Sequence, residues 1–168
     1  FAYGSSVTYM DRPPTASALL PVMRDVKPTI MLSVPLVIDK IYRSQVLAKF
    51  TKNAVVRFLY GMGPIRKMLH RVAGKKLMKV FGGELRFFGI GGAKLDCQTE
   101  QFLDEAKFPY AIGYGLTETA PLLAGKVPFK HPVGSTGRFV AGVDLRIADP
   151  NSDGEGELQA RTPSVMQG

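Results

Sequence analysis

The sequence holds a single cysteine, Cys97, among 168 residues. An intramolecular disulfide is therefore impossible and a thiolate metal cluster is excluded, which leans toward a reducing compartment without requiring one. There are two histidines, His70 and His131, far apart in sequence, so histidine-ligated metal catalysis has little basis. No apolar run approaches the roughly 20 residues needed to span a bilayer. The opening Phe1-Ala2-Tyr3-Gly4 lacks an initiator Met, a basic n-region and a cleavage-type signal, and reads as the start of a piece of a longer chain. Acidic residues are missing from one long stretch: residues 40–79 hold eleven of the 22 Lys and Arg and none of the 14 Asp and Glu.

Such a basic block attracts nucleic acid, anionic lipid or a polyphosphate ligand, or it is simply a solvated helical face. No aromatic-glycine repeat of the RNA-binding type accompanies it, so nucleic acid is not an expected partner. Glycine and proline are plentiful, at 18 and 12. They fall short of a disordered or fibrous composition and describe a globular chain with many turns. The length suffices for one substantial core, or a core with a small appendage.

Hydrophobic rhythm divides the chain. The first residues read as a short strand and a turn, with Thr15 or Ser17 capping a helix through Leu19, Leu20 and Met23. Thr29 to Val34 reads as a buried strand closed by Pro35, and Leu36 to Lys52 as a helix. A second helix begins near Asn53 and breaks at Gly61-Met62-Gly63-Pro64. A third places Ile65, Met68, Leu69 and Val72 on its buried face, leaves His70 at the surface and ends at Gly74. From residue 84 the pattern becomes strand, glycine loop, helix, strand: Leu85–Ile90, then Gly91-Gly92-Ala93, a helix capped by Asp96, and a strand over 110–114. Alternation of this kind predicts an α/β fold with a mainly parallel sheet and flanking helices. Ligands in such folds sit beyond the carboxyl ends of the strands, where the loops at 89–93 and 115–119 would lie side by side. After Lys126 only strands remain, Val143–Ile147 and Glu157–Arg161. The expected division is an α/β unit over 1–125 and the start of a β subdomain over 126–168.

Gly89-Ile90-Gly91-Gly92-Ala93-Lys94 fails the dinucleotide fingerprint because Lys94 stands where glycine or alanine is needed, and no GxxxxGK loop occurs. As a bare loop it is a tight turn, or a place where backbone approaches a flat ligand. Tyr114-Gly115-Leu116-Thr117-Glu118 carries more chemistry. An aromatic ring can stack on a base, a threonine hydroxyl can donate to a phosphate, and a carboxylate can hold Mg²⁺. Read on spacing alone, the same residues also suit a strand-end turn. Asp149 to Gly154 copies half a calcium loop, but Ala160 occupies its twelfth position, so it reads as a hairpin turn. Cys97 reads as a small buried thiol and His131 as a loop residue. No Ser-His-Asp or Cys-His set can be assembled.

Gly91-Gly92-Ala93-Lys94-Leu95, Gly113-Tyr114-Gly115-Leu116-Thr117-Glu118-Thr119, Gly134-Ser135-Thr136-Gly137-Arg138 and Gly156-Glu157-Leu158-Gln159-Ala160 resemble, in order and spacing, the adenylate-forming superfamily. Pro28 to Pro35, running into Asp39-Lys40-Ile41-Tyr42, is similar to its long-chain fatty acid branch. The resemblance covers essentially the whole chain and about a third of such an enzyme. It implies an AMP-forming acyl-CoA ligase whose substrates are ATP, a fatty acid and CoA, proceeding through an acyl-adenylate. It further implies that Gly91, Gly92, Ala93 and Tyr114, with Gly115 and Leu116, line the adenylate pocket, and that Gly113 borders the acyl channel. Thr117 would contact the α-phosphate, and Glu118 would hold Mg²⁺. The location implied is cytoplasmic or peripheral to a membrane, with the basic block facing lipid. The family's triphosphate loop, ribose-binding aspartate, hinge and C-terminal catalytic lysine have no counterpart here, which implies that this stretch alone is inactive. A synthetase for an aryl or medium-chain acid, or a basic nucleic-acid or membrane-binding module, are the rival readings.

Overall fold

The computed structural model describes residues 4–9, 11, 16–48 and 54–167. Five strands form one sheet in the order β1 (Ile30–Ser33), β2 (Phe87–Ile90), β3 (Tyr110–Gly115), β4 (Leu122–Lys126) and β5 (Arg138–Phe139). The first three strands run parallel and the last two pairings are antiparallel, so the sheet is mixed. Five α-helices accompany it among the described residues: α1 (Ala16–Val26), α2 (Pro35–Ile41), α3 (Ala54–Gly61), α4 (Gly63–Val80) and α5 (Cys97–Glu105). A separate two-stranded sheet pairs β6 (Asp144–Ala148) with β7 (Glu157–Arg161).

Alternation along the strands sends one set of side chains to the helices and the other to the opposite face. Phe88, Ile90 and Tyr110 point to the helical side and are buried against Phe81, Phe102, Leu103 and Phe108. Phe81, Phe88 and Phe108 form a mutual ring cluster with centroids 5.4 to 5.9 Å apart. Each such ring is worth about 1.5–3 kcal/mol by burial alone. Asp96 caps α5 as expected, its carboxylate accepting from Gln98 N at 3.0 Å and Thr99 N at 3.2 Å. The break between α3 and α4 also falls where the glycines and Pro64 place it, with Pro64 in the first turn of α4.

Several expectations are corrected. Residues 4–9 contain no strand. Ser17 lies inside α1 and is not its cap, and Thr15 lies outside the described residues. The strand expected to be buried, β1, is a sheet edge with Ile30 63% and Leu32 79% exposed, because nothing described packs on that face. The helix expected over 36–52 is α2 followed by a π-helical turn, Tyr42–Leu47, and Phe50 is outside the described residues. Gly74 does not end α4, which continues to Val80. A Cβ there would come within 2.7 Å of Ala106 Cβ, so this glycine lets α4 and the end of α5 approach closely. Cys97 is exposed, on the side of α5's first turn opposite the buried Thr99 and Glu100.

The largest correction is the face of α4. Met68 and Val72 are exposed, while His70, Gly74 and Leu77 are buried. Polar groups turn inward because α5 supplies Glu105 to meet them. Arg66 Nη2 donates to Glu105 Oε1 at 2.7 Å and Nε to Oε2 at 3.1 Å. His70 Nδ1 lies 2.8 Å from Glu105 Oε2, and its Nε2 is 2.7 Å from the Tyr60 hydroxyl, which is 3.3 Å from that of Tyr42. Burial pushes the Glu105 carboxyl up, but Arg66 and His70 outweigh it and hold it below its ordinary value. Burial lowers the His70 pKa, and Glu105 only partly restores it.

A second buried network centres on Glu100. It forms an ion pair with Lys126, accepts from Gly134 N at 2.9 Å and from the Tyr110 hydroxyl at 3.3 Å. Lys126 also donates to Pro132 O at 2.9 Å and stands 5.2 Å from the Tyr110 ring centroid. Glu100→Gln preserves size and strands a buried ammonium. The expected loss is about 3–5 kcal/mol in urea unfolding, and a loss below about 1 kcal/mol would show that Pro132 and Tyr110 suffice for Lys126. The Glu105 network predicts acid sensitivity. With its folded pKa below the ordinary 6.5, His70 binds fewer protons folded than unfolded, so stability is lost as pH falls from about 6.5. Glu105 adds to the loss below its ordinary 4.5. His70→Asn is expected to flatten the change in urea midpoint between about pH 7 and pH 5.

Candidate functional site

The expected site residues gather at the carboxyl ends of β2 and β3. Ile90 is in register with Ile112, so Gly91 and Gly113 follow as neighbours, and a Cβ on Gly91 would lie 3.5 Å from Gly113 O. Gly92, at φ +88°, turns the chain from β2 toward Ala93 and the Asp96 cap. The loop can pass so close to β3 because it carries no side chains there.

On the neighbouring strand, Tyr114 is still in β3, opposite Ala124, and Gly115 ends the strand at a register shift. A Cβ on Gly115 would sit 1.7 Å from Pro121 O, so this position admits only glycine. The segment Leu116–Pro121 is then drawn into a tight loop. Leu116 N donates to Pro121 O at 2.9 Å, and the Thr119 hydroxyl sits 2.8 Å from that oxygen and 3.0 Å from Leu116 O. Thr119 is buried while Thr117 and Glu118, on a single 3₁₀ turn, are exposed. Ala120 takes a left-handed φ of 52° to complete the reversal. The second threonine is therefore the internal clasp that presents the first threonine and the glutamate outward. Its role was not legible from the motif, because it depends on Pro121 O, which the antiparallel return of β4 brings alongside.

Glu118 O accepts from Met166 N at 2.8 Å, which ties the far end of the described chain to the site. The Glu118 carboxylate makes no hydrogen bond or ion pair with any described residue. Among the described residues no cluster of three or more His, Cys, Asp or Glu side chains can hold a metal. A lone, open carboxylate suits Mg²⁺, which is commonly held by one or two protein carboxylates with phosphate and water completing its shell. At the calcium-like turn, Asn151 Oδ1 is engaged by Asp153 N at 3.0 Å and Glu155 N at 2.9 Å, as a hairpin turn requires.

The sheet face away from the helices forms an apolar groove of about 1100 Å³. Gly89, Ala111 and Gly113 make its floor, and Leu32, Phe87, Leu122 and Phe139 its apolar walls, with Lys130, His131 and Arg138 supplying polar groups. Glycine at 113 keeps the floor clear, since a Cβ there would meet Leu122 Cδ1 at 3.2 Å. The groove and the 91–93 and 116–119 loops share strands β2 and β3, so an apolar ligand on the face and a polar ligand at the strand ends would be neighbours.

Taken together, the site is a glycine loop and a hydroxyl-carboxylate loop side by side on an α/β sheet. The chain belongs to the AMP-binding enzyme family, whose pattern matches residues 1–168. It is 31% identical over 169 aligned residues to the long-chain-fatty-acid–CoA ligase FadD15 of Mycobacterium bovis, an alignment covering 89% of this chain and 27% of that protein. It is 29% identical to long-chain-fatty-acid–CoA ligase 3 of Saccharomyces cerevisiae, over 73% of this chain and 19% of the yeast protein. The chain thus spans about a quarter or less of the length of these relatives. Its fold is shared with o-succinylbenzoate coenzyme A synthetase of Bacillus subtilis, solved with ATP and magnesium ion. The TM-score is 0.56 at 16% identity, over 92% of this chain and 27% of that one. Among the described residues no helix is long and apolar enough to cross a membrane.

Gly115→Ala is expected to force open the loop, lowering stability by about 1–3 kcal/mol and removing hydrogen-exchange protection of the Leu116 amide. Gly61→Ala, where a Cβ meets nothing within 4 Å, is the control and is expected to change neither.

Proposed function

We propose that this chain is the adenylate-pocket segment of an AMP-forming long-chain fatty acid–CoA ligase. The observation that carries the reading is the outward presentation of Thr117 and Glu118 by a clasped loop, beside the Gly91–Ala93 loop and over an apolar groove. The fatty-acid ligases among its relatives support the substrate class.

In this reading the backbone at Gly91, Gly92 and Ala93 and the Tyr114 ring line the adenine of ATP, with Gly115 and Leu116 closing the same wall. The Thr117 hydroxyl donates to an oxygen of the α-phosphate, where negative charge grows as the fatty carboxylate attacks and pyrophosphate leaves. Glu118 holds Mg²⁺, which supplies countercharge to the phosphates when bound. The acyl chain runs along the groove past Gly113, where a side chain would block it. CoA then displaces AMP from the acyl-adenylate to form the thioester, a step for which residues outside this chain are needed. In this reading residues 1–125 form the pocket-bearing unit and 126–168 the start of a β subdomain; the separate β6–β7 sheet supports the division, while β5 still pairs with β4 in the main sheet. The protein works in the cytoplasm or at a membrane surface.

The test is fatty-acid-dependent ATP–pyrophosphate exchange by the full-length parent, over acids of graded chain length. Long-chain acids are expected to drive exchange, and the 168-residue chain alone to give none. Glu118→Gln in the parent is expected to lower exchange roughly 10²–10³-fold, in line with the loss of a preorganised electrostatic group. Exchange with short or aromatic acids only would move the substrate class, and near-normal exchange by Glu118→Gln would remove Glu118 from its role.

A further inference from the structure

The groove on the sheet face has two ends, and a different part of the chain stands at each. The 91–93 and 116–119 loops lie at the carboxyl ends of β2 and β3. At the other end β4 leaves the sheet. Leu122 is opposite Gly115 and Lys126 opposite Ile112, about 10 Å back along β3. The chain beyond Lys126 then walls the groove with Val127, Lys130 and His131.

Little inside this loop fixes its place. Lys130 N reaches Val127 O at 3.5 Å and Ser135 N reaches Pro132 O at 3.3 Å, both long for such bonds and both internal to the loop. Val127, Phe129, Lys130, Pro132, Val133 and Gly134 are exposed, so the loop has no apolar core of its own. Lys107 adds a contact at the surface, 4.8 Å over the Phe129 ring. Among the described residues, the side-chain hydrogen bonds that reach the loop from other elements come from one buried pair. Lys126 Nζ donates to Pro132 O at 2.9 Å, and Glu100 Oε2 accepts from Gly134 N at 2.9 Å. Lys126 is 1% exposed and Glu100 2%, and the Tyr110 hydroxyl donates to the same carboxylate at 3.3 Å. Apolar side chains of similar size would fill this space without taking two charges out of water. What they lack is any means of holding a loop carbonyl and a loop amide at fixed points.

We propose that Glu100 and Lys126 are positioning residues for the acyl end of the groove, setting through the 127–134 loop how well a long acid is bound. This role rests on the ligase reading above, in which the groove holds the acyl chain. The acid's carboxylate reacts at the strand ends, so its chain runs away from them toward the loop. Only a chain long enough to reach the loop feels its position. The pair therefore helps to discriminate long acids from short ones and leaves the nucleotide end of the site alone.

The experiment compares the full-length parent with its Glu100→Met/Lys126→Met/Tyr110→Phe variant, which replaces the whole network by apolar groups of similar shape. Such a replacement is often near neutral, so the urea midpoint is expected to stay close to that of the unaltered parent. In ATP–pyrophosphate exchange, KM for the longest acids is expected to rise about tenfold, while KM for the shortest reacting acid and for ATP stays within about twofold. Hydrogen exchange is expected to show the Gly134 amide losing protection and the Leu116 amide keeping it. Pro132→Gly, at an exposed position, keeps the carbonyl and loosens the loop, and is expected to raise the long-acid KM several-fold. It carries the test if the triple variant does not fold. The role is overturned if the long-acid KM is unmoved in the variants that fold, if short acids and ATP shift equally, or if Gly134 keeps its protection in a folded triple variant. An unaltered parent that exchanges with no acid overturns the ligase reading and this role together, an outcome distinct from an active parent whose variants behave alike.

Discussion

The carboxylate of Glu100 is the point on which the arrangement of this molecule turns. Its two oxygens meet Lys126 from β4, the Tyr110 hydroxyl from β3 and Gly134 N from the loop beyond β4, while Glu100 itself belongs to α5. Removing two charges from water costs several kcal/mol per ion, so the pair is tolerable only with its remaining hydrogen bonds in place. Each partner is thereby held in one position. If the 132–134 loop sat elsewhere, Lys126 would lose Pro132 O and Glu100 would lose Gly134 N. The network therefore couples the helical layer to the antiparallel half of the sheet, and that half closes the loop bearing Thr117 and Glu118.

A second buried carboxylate, Glu105, works five residues later on the same helix. It draws Arg66 and His70 of α4 inward, and through His70 and Tyr60 it reaches the α3 arm and Tyr42. With Arg66 and His70 of α4 turned onto this contact, Met68 and Val72 lie on the exposed side of the helix. The inner face of the helix mixes Arg66 and His70 with Leu77, Ala73 and Met78 on the core, and its outer face mixes Lys and Arg with Met68 and Val72. The two carboxylates thus divide the labour: Glu100 seats the strands under the site, and Glu105 sets which side of the long helix the surroundings meet.

The site itself lies where the sheet changes from parallel to antiparallel pairing. Parallel strands β2 and β3 bring two glycine-bearing loops to one edge, and the antiparallel return of β4 clasps the second of them through Thr119 and Pro121. The same strands present glycine and alanine on the face away from the helices, which leaves the apolar groove open. Polar and apolar binding surfaces meet at these strands because a two-residue repeat sends alternate residues to opposite faces.

Local chemistry is what the sequence by itself determined. The Asp96 cap, the break at Gly61–Pro64 and strands β2, β3, β6 and β7 all follow from short-range patterns, since caps, turns and strand alternation depend on residues a few positions apart. The motif residues from Gly91 to Ala93 and Gly113 to Glu118 stood out through the family resemblance, since on spacing alone they suit a tight turn as well. Tertiary structure alone decided the rest. The inward turn of His70 required Glu105, 35 positions away, and the hydrophobic rhythm of Ile65, Met68, Leu69 and Val72, which takes no account of a buried ionic partner, misplaced Met68 and Val72, both exposed, while Ile65 and Leu69 are half-buried. The exposure of β1 depended on what does not pack against it, the continuation of α4 through Gly74 on the close approach of Ala106, and the clasp of Thr119 on the return of β4. Each is a contact between segments distant in sequence, where the energy of one partner is undefined until the other is in place.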